Sequence, residues 1–384
     1  MKTLSIGRLV YDINIMMDAY PVEGSENVTK EMITCSGGSA NIIAYSLGKW
    51  NMESYISGVI GYDETGTTMK KNMEENRVRT NFLETNYDIK TPTSYIFLNK
   101  QNNSRTVVNA LVSDFNIKKY DYDTDIDCVI ADGYEYNASV YAFNKYSKAI
   151  TVLNAKTPHN GLLDFFKYAK YVVASSDVAE SMTGMKIDFD APVSMVNVYK
   201  KIIDKYPHIT LFITMEGKGT IYSVNNEIKV LATMNTEIVD KTGARDIFVA
   251  MIGYGITNGY DIETTIRLAT IAESMSKKTI GSTLSIPLLS DIIKYYESKF
   301  GDLNNNHDSE APTNNEEKNS EVAPNATEEM EKQPSNAVNG TEATPEVKQE
   351  NPNIVANSQT DEQIVSQVFG TTPENDENGN TPTA

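Results

Sequence analysis

A single carboxylate lies beside a turn that is suited to approach an anion. Gly243 and Ala244 are small residues ahead of a predicted helix, and Asp246 follows in its first turn. The first N–H groups of a helix have no partner inside the helix, and the helix dipole favours negative charge there. The carboxylate could take a proton from a hydroxyl while these N–H groups hold a phosphoryl group. This pattern indicates phosphoryl transfer; the alternative is an ordinary acidic residue that offsets the dipole.

A second segment pairs Gly37 with Gly38, ahead of a run with apolar residues at helical spacing. Glycines let a ligand come close to the backbone. Asn41, near the start of that predicted helix, offers two donors and an acceptor, which suits the hydroxyl groups of a sugar. The alternative is a polar residue in an ordinary first turn, because a glycine pair before a helix is not specific by itself.

Together the two segments resemble the ribokinase-like (PfkB) family of carbohydrate kinases. That family has a glycine-pair substrate motif near its start and a D-T-x-G-A-G-D motif near its end, which here runs from Asp240 to Asp246. Gly58–Gly66 is similar to the family's G-x-x-G-x-D-x-x-G stretch, and the resemblance covers roughly residues 3 to 299. Residues 130–135 and 174–179 resemble the ketohexokinase and fructokinase-type branch.

The resemblance implies an ATP-dependent kinase that phosphorylates a small sugar, with a ketose as the expected acceptor. Its expected catalytic residues are Asp246, Gly243, Ala244 and Arg245. The expected sugar-binding residues are Asp12, Gly37, Gly38 and Asn41, with Arg105 and Asn109 as further candidates on a lid strand. The expected nucleotide-binding residues are Thr214, Gly217, Gly219 and Gly281. Mg²⁺ is expected with ATP, and Asp240 with Thr242 is expected to belong to a site for a monovalent cation such as K⁺.

The chain departs from the family pattern at several functional positions. Ser175 and Val178 replace the N-x-x-E residues that many relatives use for magnesium and phosphate. In the nucleotide segment the order of glycine and its neighbour is exchanged, so that Glu216 precedes Gly217. Arg245 replaces the second glycine of G-A-G-D. These departures leave open a catalytically degenerate scaffold that binds a sugar or a nucleotide, whereas the retained Asp246 favours a kinase.

Arg245 could act in either direction. A glycine would let the backbone N–H approach the phosphoryl group freely, whereas a guanidinium could stabilise the developing charge. Loss of one donor costs roughly 100- to 1000-fold in rate, and a well-placed arginine contributes about a thousandfold or more. The sequence does not determine whether Arg245 raises or lowers the rate of phosphoryl transfer, because that depends on where the side chain points.

The order of elements predicts the fold class. Strand-like and helix-like segments alternate, which predicts an α/β protein, a three-layer α/β/α sandwich with a mostly parallel central sheet. Central strands are expected at residues 3–6, 54–57, 128–131, 150–153, 171–174 and 210–213. Segments near 10–17, 28–35, 92–99 and 104–110 alternate as exposed strands, and the resemblance makes them a small β lid within residues 10–35 and 90–112. A homodimer through this lid is a further expectation.

Composition separates a kinase domain at residues 1–301 from an acidic tail at 302–384. The tail has 17 acidic and 3 basic residues, which accounts for −14 of the formal net charge of −18, and it holds seven of the 13 prolines. Such a composition predicts disorder, because little apolar surface offsets the entropy of ordering the backbone. Within the tail, Asp361–Phe369 places apolar residues at helical spacing and is a candidate segment for docking a protein partner.

Charge and cysteine content narrow the partners and the compartment. Residues 1–301 are nearly balanced in charge and lack a basic cluster, which argues against nucleic-acid binding as a main function. Two cysteines give no disulfide framework, no run is apolar and long enough to span a membrane, and the first residues resemble a strand more than a signal peptide. His159, His208 and His307 have no metal-ligand spacing. We expect a cytoplasmic protein.

Overall fold

A computed structural model describes residues 1–110 and 116–303 of the chain. Its strands are β1 (Lys2–Ile6), β2 (Val10–Met17), β3 (Met32–Gly37), β4 (Glu53–Gly61), β5 (Val78–Asn86), β6 (Thr93–Asn99), β7 (Ser104–Ala110), β8 (Cys128–Ala131), β9 (Ile150–Ala155), β10 (Tyr171–Ser175), β11 (Thr210–Met215), β12 (Gly219–Val224) and β13 (Glu227–Ala232). Its helices are α1 (Ser39–Lys49), α2 (Glu64–Glu75), α3 (Tyr136–Lys145), α4 (Leu162–Phe165), α5 (Ser176–Thr183), α6 (Pro192–Lys205), α7 (Ala244–Thr257), α8 (Ile262–Ser276) and α9 (Leu289–Phe300).

The central sheet has nine strands in the order β13-β12-β11-β10-β9-β8-β1-β4-β5. From β11 to β5 all neighbours are parallel, whereas β12 and β13 continue from β11 as antiparallel strands. All six runs predicted as central strands are strands of this sheet. The mostly parallel α/β fold is confirmed.

Successive side chains of the central strands enter two different cores. Ile130 of β8 and Val152 of β9 pack with α1, α2, α7, α8 and α9. Their sequence neighbours Val129 and Leu153 pack on the opposite face with α3, α4, α5 and α6. Side chains alternate between the faces of a strand, so a continuous apolar run is what a sheet covered on both faces requires. Three layers result, as predicted.

A separate four-stranded sheet in the order β3-β2-β6-β7 forms the lid. Each predicted exposed segment contributes one of its strands. The second begins at Met32, later than the predicted position 28, and ends at Gly37. β2 and β6 are parallel, and the outer pairs are antiparallel.

The described fold continues slightly beyond the predicted domain boundary at residue 301. α9 ends at Phe300, and Leu303 is buried in the same core as α7 and α8. The predicted tail beyond this point, including the docking segment Asp361–Phe369, lies outside the described residues. Within residues 1–110 and 116–303, each helix is too short or too polar to cross a membrane.

Candidate active site

A cavity of about 350 Å³ lies where the carboxyl ends of the central strands meet the lid. Asp132 and Lys156 enter its wall just after β8 and β9, and the lid closes the other side. The carboxyl ends of parallel strands share one edge of a sheet, which is where α/β proteins bind ligands. Seven of the predicted site residues line this cavity: Asp12, Gly38, Arg105, Asn109, Thr242, Gly243 and Asp246.

Asp246 lies in the first turn of α7 with its carboxylate turned into the cavity wall, where only 2% of the side chain is exposed. Asn154, near the end of β9, donates from Nδ2 to Oδ1 of Asp246 over 2.9 Å. Lys156 donates from Nζ to Oδ2 over 3.1 Å. Both oxygens of the predicted base therefore accept a hydrogen bond from a neighbouring side chain.

The turn ahead of α7 presents unpaired backbone donors. Gly243 has φ of 80°, in the left-handed region, and a Cβ there would lie 3.0 Å from Cβ of Ser282. Among the described residues, the N–H groups of Gly243, Arg245 and Asp246 have no hydrogen-bond partner, whereas the N–H of Ala244 donates to the carbonyl of Lys241 over 3.3 Å. Ala244, one of the predicted catalytic residues, thus has no unpaired N–H group and does not line the cavity.

Asp240 stabilises this turn through hydrogen bonds to its carboxylate. Its Oδ1 accepts hydrogen bonds from the backbone N and Oγ1 of Thr242, at 2.8 and 2.6 Å. Its Oδ2 accepts the backbone N–H of Gly281 over 2.9 Å. Arg105 of the lid donates from Nη1 to Oγ1 of Thr242 over 3.1 Å. Asp240, which is not part of the cavity wall, therefore joins the turn at residues 241–243, the predicted catalytic turn, to the segment at Gly281.

The described residues contain no group of three or more His, Cys, Asp or Glu side chains that is arranged to hold a metal ion. At the departure from N-x-x-E, Ser175 accepts the backbone N–H of Val178 and so serves as the N-cap of α5. Both oxygens of Asp240 already accept protein donors. The side chains of residues 1–110 and 116–303 do not fit a resident divalent metal site.

Arg245 points away from the cavity and into the ends of three neighbouring strands. Its Nε donates to Oδ1 of Asn154 over 3.3 Å, and its Nη2 donates to the carbonyls of Val173 (2.8 Å) and Ala155 (3.3 Å). Its Nη1 donates to Oγ1 of Thr214. Burial lowers the pKa of Arg245 to about 10, so the guanidinium remains charged near neutral pH. Every acceptor is an uncharged oxygen, and the side chain braces β9, β10 and β11.

Asp12 projects from the lid strand β2. Its Oδ2 accepts a hydrogen bond from Oγ of Ser282 over 2.7 Å, and burial raises the pKa of Asp12 to about 6. The glycine pair explains how this carboxylate fits: a Cβ on Gly37 would lie 2.0 Å from Oδ2 of Asp12. Gly38, with φ of 89°, would place a Cβ 2.5 Å from the carbonyl oxygen of Arg8. Gly38 lines the cavity and Gly37 lies behind the wall.

Asn41 is fully buried and does not line the cavity. Neither Oδ1 nor Nδ2 of its amide has a hydrogen-bond partner among the described residues. Asn41 lies one helical turn from Gly38, which lines the cavity, and its role in sugar binding stays a prediction. Asn41 belongs to the buried part of the first turn of α1, whereas Gly38, Ser39 and Ile42 of the same turn line the cavity.

The lid supplies the opposite wall. Arg105, Val107 and Asn109 alternate along β7 and all line the cavity, as expected for one face of a strand. Ser94 of the neighbouring strand β6 donates to Oδ1 of Asn109 over 2.7 Å. Asn109 is therefore held by a neighbour in the lid, and Arg105 is held by Thr242 of the catalytic turn.

The predicted nucleotide residues lie outside this cavity, at the end of β11 and beyond. Gly217, with φ of 71°, lies in the turn between β11 and β12, with open space where a Cβ would be. A Cβ on Gly219 would meet the carbonyl oxygen of Leu231 at 2.3 Å, so this glycine is required by strand pairing. Glu216 pairs with Lys241 at 3.2 Å and links the hairpin to the catalytic turn.

Several residues of the site were not predicted from the sequence. Asn154 and Lys156 hold Asp246, and Ser282 holds Asp12. Buried Asp132 accepts the backbone N–H groups of Arg8 (2.7 Å) and Tyr134 (3.1 Å), and burial raises its pKa to about 7. Their place in the sequence could have indicated three of them. Asp132, Asn154 and Lys156 are polar residues at the carboxyl ends of apolar strands, where α/β proteins bind ligands.

Curated proteins with similar sequences include a ribokinase of Bacillus subtilis (strain 168), which is 24% identical over 294 residues, 75% of this chain and 96% of the relative. The bifunctional protein HldE of Helicobacter hepaticus is 24% identical over 286 residues, 70% of this chain. The match covers 57% of HldE, a little over half of that relative. These names support the predicted family and do not extend to the ketohexokinase and fructokinase-type branch.

Solved structures share the fold at low sequence identity. Ribokinase of Arabidopsis thaliana, solved with ribose and ATP, has a TM-score of 0.62 at 17% identity, over 76% of this chain and 97% of that one. Ribokinase of Cryptococcus neoformans, solved with ADP, has a TM-score of 0.65 at 13% identity, over 77% and 98%. The sequence profile named pfkB family carbohydrate kinase matches residues 2–288. The chain therefore belongs to the pfkB family of carbohydrate kinases, phosphotransferases that act on an alcohol group of a sugar.

Proposed function

We propose that this chain transfers the γ-phosphoryl group of ATP to a hydroxyl group of a small sugar bound in the cavity under the lid. The observation that carries the proposal is the position of Asp246, whose carboxylate lies on the cavity wall beside the unpaired N–H groups at the start of α7. A base and an anion hole at one place are the two groups that phosphoryl transfer to an alcohol requires.

The acceptor hydroxyl is proposed to lie against Asp246, which orients it and receives its proton. The sugar is held on the opposite side by Asp12 and by Arg105 and Asn109 of the lid, all of which line the same cavity. The unpaired N–H groups of Gly243 and Arg245 receive the phosphoryl oxygens as charge develops. Arg245 contributes its backbone, while its guanidinium supports the strands behind the site.

ATP is proposed to bind along the ends of β10 and β11, with Thr214, Gly217, Gly219 and Gly281 on its side of the catalytic turn. Gly217 supports this placement because the turn leaves open space at that position. Mg²⁺ is proposed to arrive bound to the phosphates of ATP. K⁺ is proposed to bind near Asp240 and Thr242. No step of the mechanism is assigned to either ion.

The acceptor is proposed to be a ketose, on the strength of the segments at 130–135 and 174–179. The similar proteins named ribokinase add ribose to the test. The decisive experiment measures ADP formation from ATP with a panel that includes fructose and ribose, together with detection of the phosphorylated sugar. Sugar or nucleotide binding without any phosphorylated product would favour the scaffold alternative.

Two further proposals concern partners and compartment. A homodimer through the lid is supported by Tyr95 and Val108, which are paired across β6 and β7 and are exposed; light scattering of the parent and of Val108→Asp tests it. A cytoplasmic location is supported by Cys35 and Cys128, which are free and buried. A protein partner for Asp361–Phe369 stays a proposal from the sequence.

A further inference from the structure

The carboxylate of Asp246 is covered on the side that faces the cavity. Oδ1 is held by Asn154, which is fully buried and does not line the cavity. Oδ2 is held by Lys156, which does line it. The side chain of Asp246 is 2% exposed and that of Lys156 is 42% exposed. A hydroxyl group that enters the cavity therefore meets the ammonium group of Lys156 before it can reach Oδ2.

We infer that Lys156 masks the base Asp246 until the acceptor sugar displaces it, and that this masking suppresses transfer of the phosphoryl group to water. The inference rests on the proposed kinase function. Lys156 acts here through Asp246 and is a positioning residue.

Sugar phosphorylation and ATP hydrolysis both transfer a proton to Oδ2 of Asp246. In sugar phosphorylation, the acceptor oxygen forms a bond to the γ-phosphorus, its proton passes to Oδ2 of Asp246, and the bridging P–O bond breaks with its electron pair left on ADP. In hydrolysis, a water oxygen forms the new bond, its proton goes to the same carboxylate, and ADP and inorganic phosphate are released. An ammonium group on Oδ2 competes with the incoming hydroxyl group or water for this oxygen in both cases.

The energies favour displacement by a sugar. The ammonium group of Lys156 is partly exposed, so water can solvate it when it leaves Oδ2, which keeps the cost of moving it low. Several sugar hydroxyl groups bound by Asp12 and the lid supply more than this, whereas one water molecule has no such additional contacts. Asn154 keeps its bond to Oδ1 throughout, so the carboxylate does not rotate when Lys156 leaves.

Other cations on the cavity wall are held elsewhere. Arg105 donates to Thr242 in the catalytic turn. Arg8 lies over the ring of Tyr134, with 4.0 Å between its guanidinium carbon and the ring centre. Within the described part of the chain, Lys156 is the cation that forms an ion pair with Asp246. Removing the charge of Lys156 therefore tests the effect of this ion pair on Asp246.

The test replaces Lys156 with methionine, which keeps the length of the side chain and removes its charge. ATP hydrolysis without sugar is expected to rise by about fivefold, and the KM for the sugar is expected to fall by a similar factor, because neither reaction then has to break the ion pair first. Lys156→Arg, which keeps a cation on Oδ2, is expected to show less of both effects. Thermal unfolding of each variant verifies that it is folded.

Lys229→Met is the matched control. Lys229 pairs with Glu263 at 2.7 Å on partly exposed side chains, but on β13 and α8, away from the cavity. It is expected to change neither hydrolysis nor the sugar KM. The double variant Lys156→Met with Asp246→Asn is expected to lose the additional hydrolysis, since the unmasked base is then absent.

The outcomes separate the two proposals. Transfer to a sugar by the parent protein tests the kinase function, and hydrolysis by Lys156→Met tests the masking. A parent that phosphorylates a sugar, with a variant whose hydrolysis is unchanged or lower and whose sugar KM rises, overturns the masking alone and makes Lys156 a direct substrate contact. Additional hydrolysis that survives in the double variant also overturns it. A parent with no sugar transfer and no hydrolysis in any variant overturns both.

Discussion

Asn154 of β9 donates a 2.9 Å hydrogen bond to Asp246 of α7, across 92 positions of the sequence. The same amide accepts a hydrogen bond from Nε of Arg245 through its oxygen. The amide of Asn154 thus bonds two consecutive residues of α7. Its nitrogen bonds the carboxylate of Asp246 on the cavity side, and its oxygen bonds the guanidinium of Arg245 on the strand side. The residue that departs from the family motif is thereby connected to the proposed base.

Asp246→Asn is expected to lower kcat for sugar phosphorylation by at least about 100-fold, because the amide cannot receive the proton of the hydroxyl group. Binding of ATP is expected to change little, since the anion hole is made of backbone N–H groups. Steady-state kinetics and nucleotide titration of the same preparations measure the two quantities. A kcat within a few-fold of the parent's would rule out Asp246 as the base.

Arg245→Gly is expected to lower both stability and kcat. It removes charge-assisted hydrogen bonds to Asn154, Val173, Ala155 and Thr214, and each such bond contributes on the order of 1 to 3 kcal/mol. Without the guanidinium, Asn154 is also free to turn away from Asp246. Thermal unfolding and single-turnover transfer are compared with those of Arg267→Gly, an arginine on α8 that pairs with Glu263 at 3.8 Å and lies 4.8 Å from the ring centre of Phe300. A clear gain of activity would contradict this assignment and favour the degenerate scaffold.

Binding of the sugar is expected to weaken as the pH falls through about 6. Burial raises the pKa of Asp12 to about 6, so the carboxylate that accepts hydrogen bonds from sugar hydroxyl groups is progressively protonated below that pH. The KM for the sugar should rise in the acid range for the parent. In Asp12→Asn, which does not titrate, this rise should disappear; if it persists unchanged, a different group controls it.

The same shift has a consequence for stability. Because the folded-state pKa of Asp12 lies above its ordinary value of 3.8, its contribution favours folding below that value and is lost as the pH rises towards about 6. Asp12→Asn should therefore gain stability relative to the parent between pH 4 and pH 7. Urea unfolding at the two pH values measures the difference, and a relative loss at pH 7 would contradict the raised pKa.

Removal of the acidic tail after Leu303 is expected to leave the melting temperature and the kinase rate unchanged, because the described core ends there. Removal after Gly301 also deletes Leu303, which is buried with α7 and α8, and should cost about 1.5 to 3 kcal/mol. Thermal unfolding of the two shortened chains makes the comparison. Equal melting temperatures would show that Leu303 does not contribute to the core.

Local patterns in the sequence were sufficient for six strands of the central sheet and for the four exposed strands, and the family resemblance identified the latter as a lid. The apolar runs at β1, β4, β8, β9, β10 and β11 are strands because a two-faced buried sheet needs continuous apolar residues. Gly243 and Asp246 were predictable for a related reason: a glycine that precedes a helix and a carboxylate in its first turn are determined by neighbours within a few residues.

Tertiary structure decided which side chains meet. Asn154 and Lys156 reach Asp246 only because β9 lies next to α7 in the fold, and sequence spacing carries no information about contacts across about 90 residues. The direction of Arg245 was open for the same reason, because its acceptors come from three separate strands. The burial of Asn41, next to Ser39 and Ile42 that line the cavity, was likewise decided by the packing around α1 and could not be read from its place near the glycine pair.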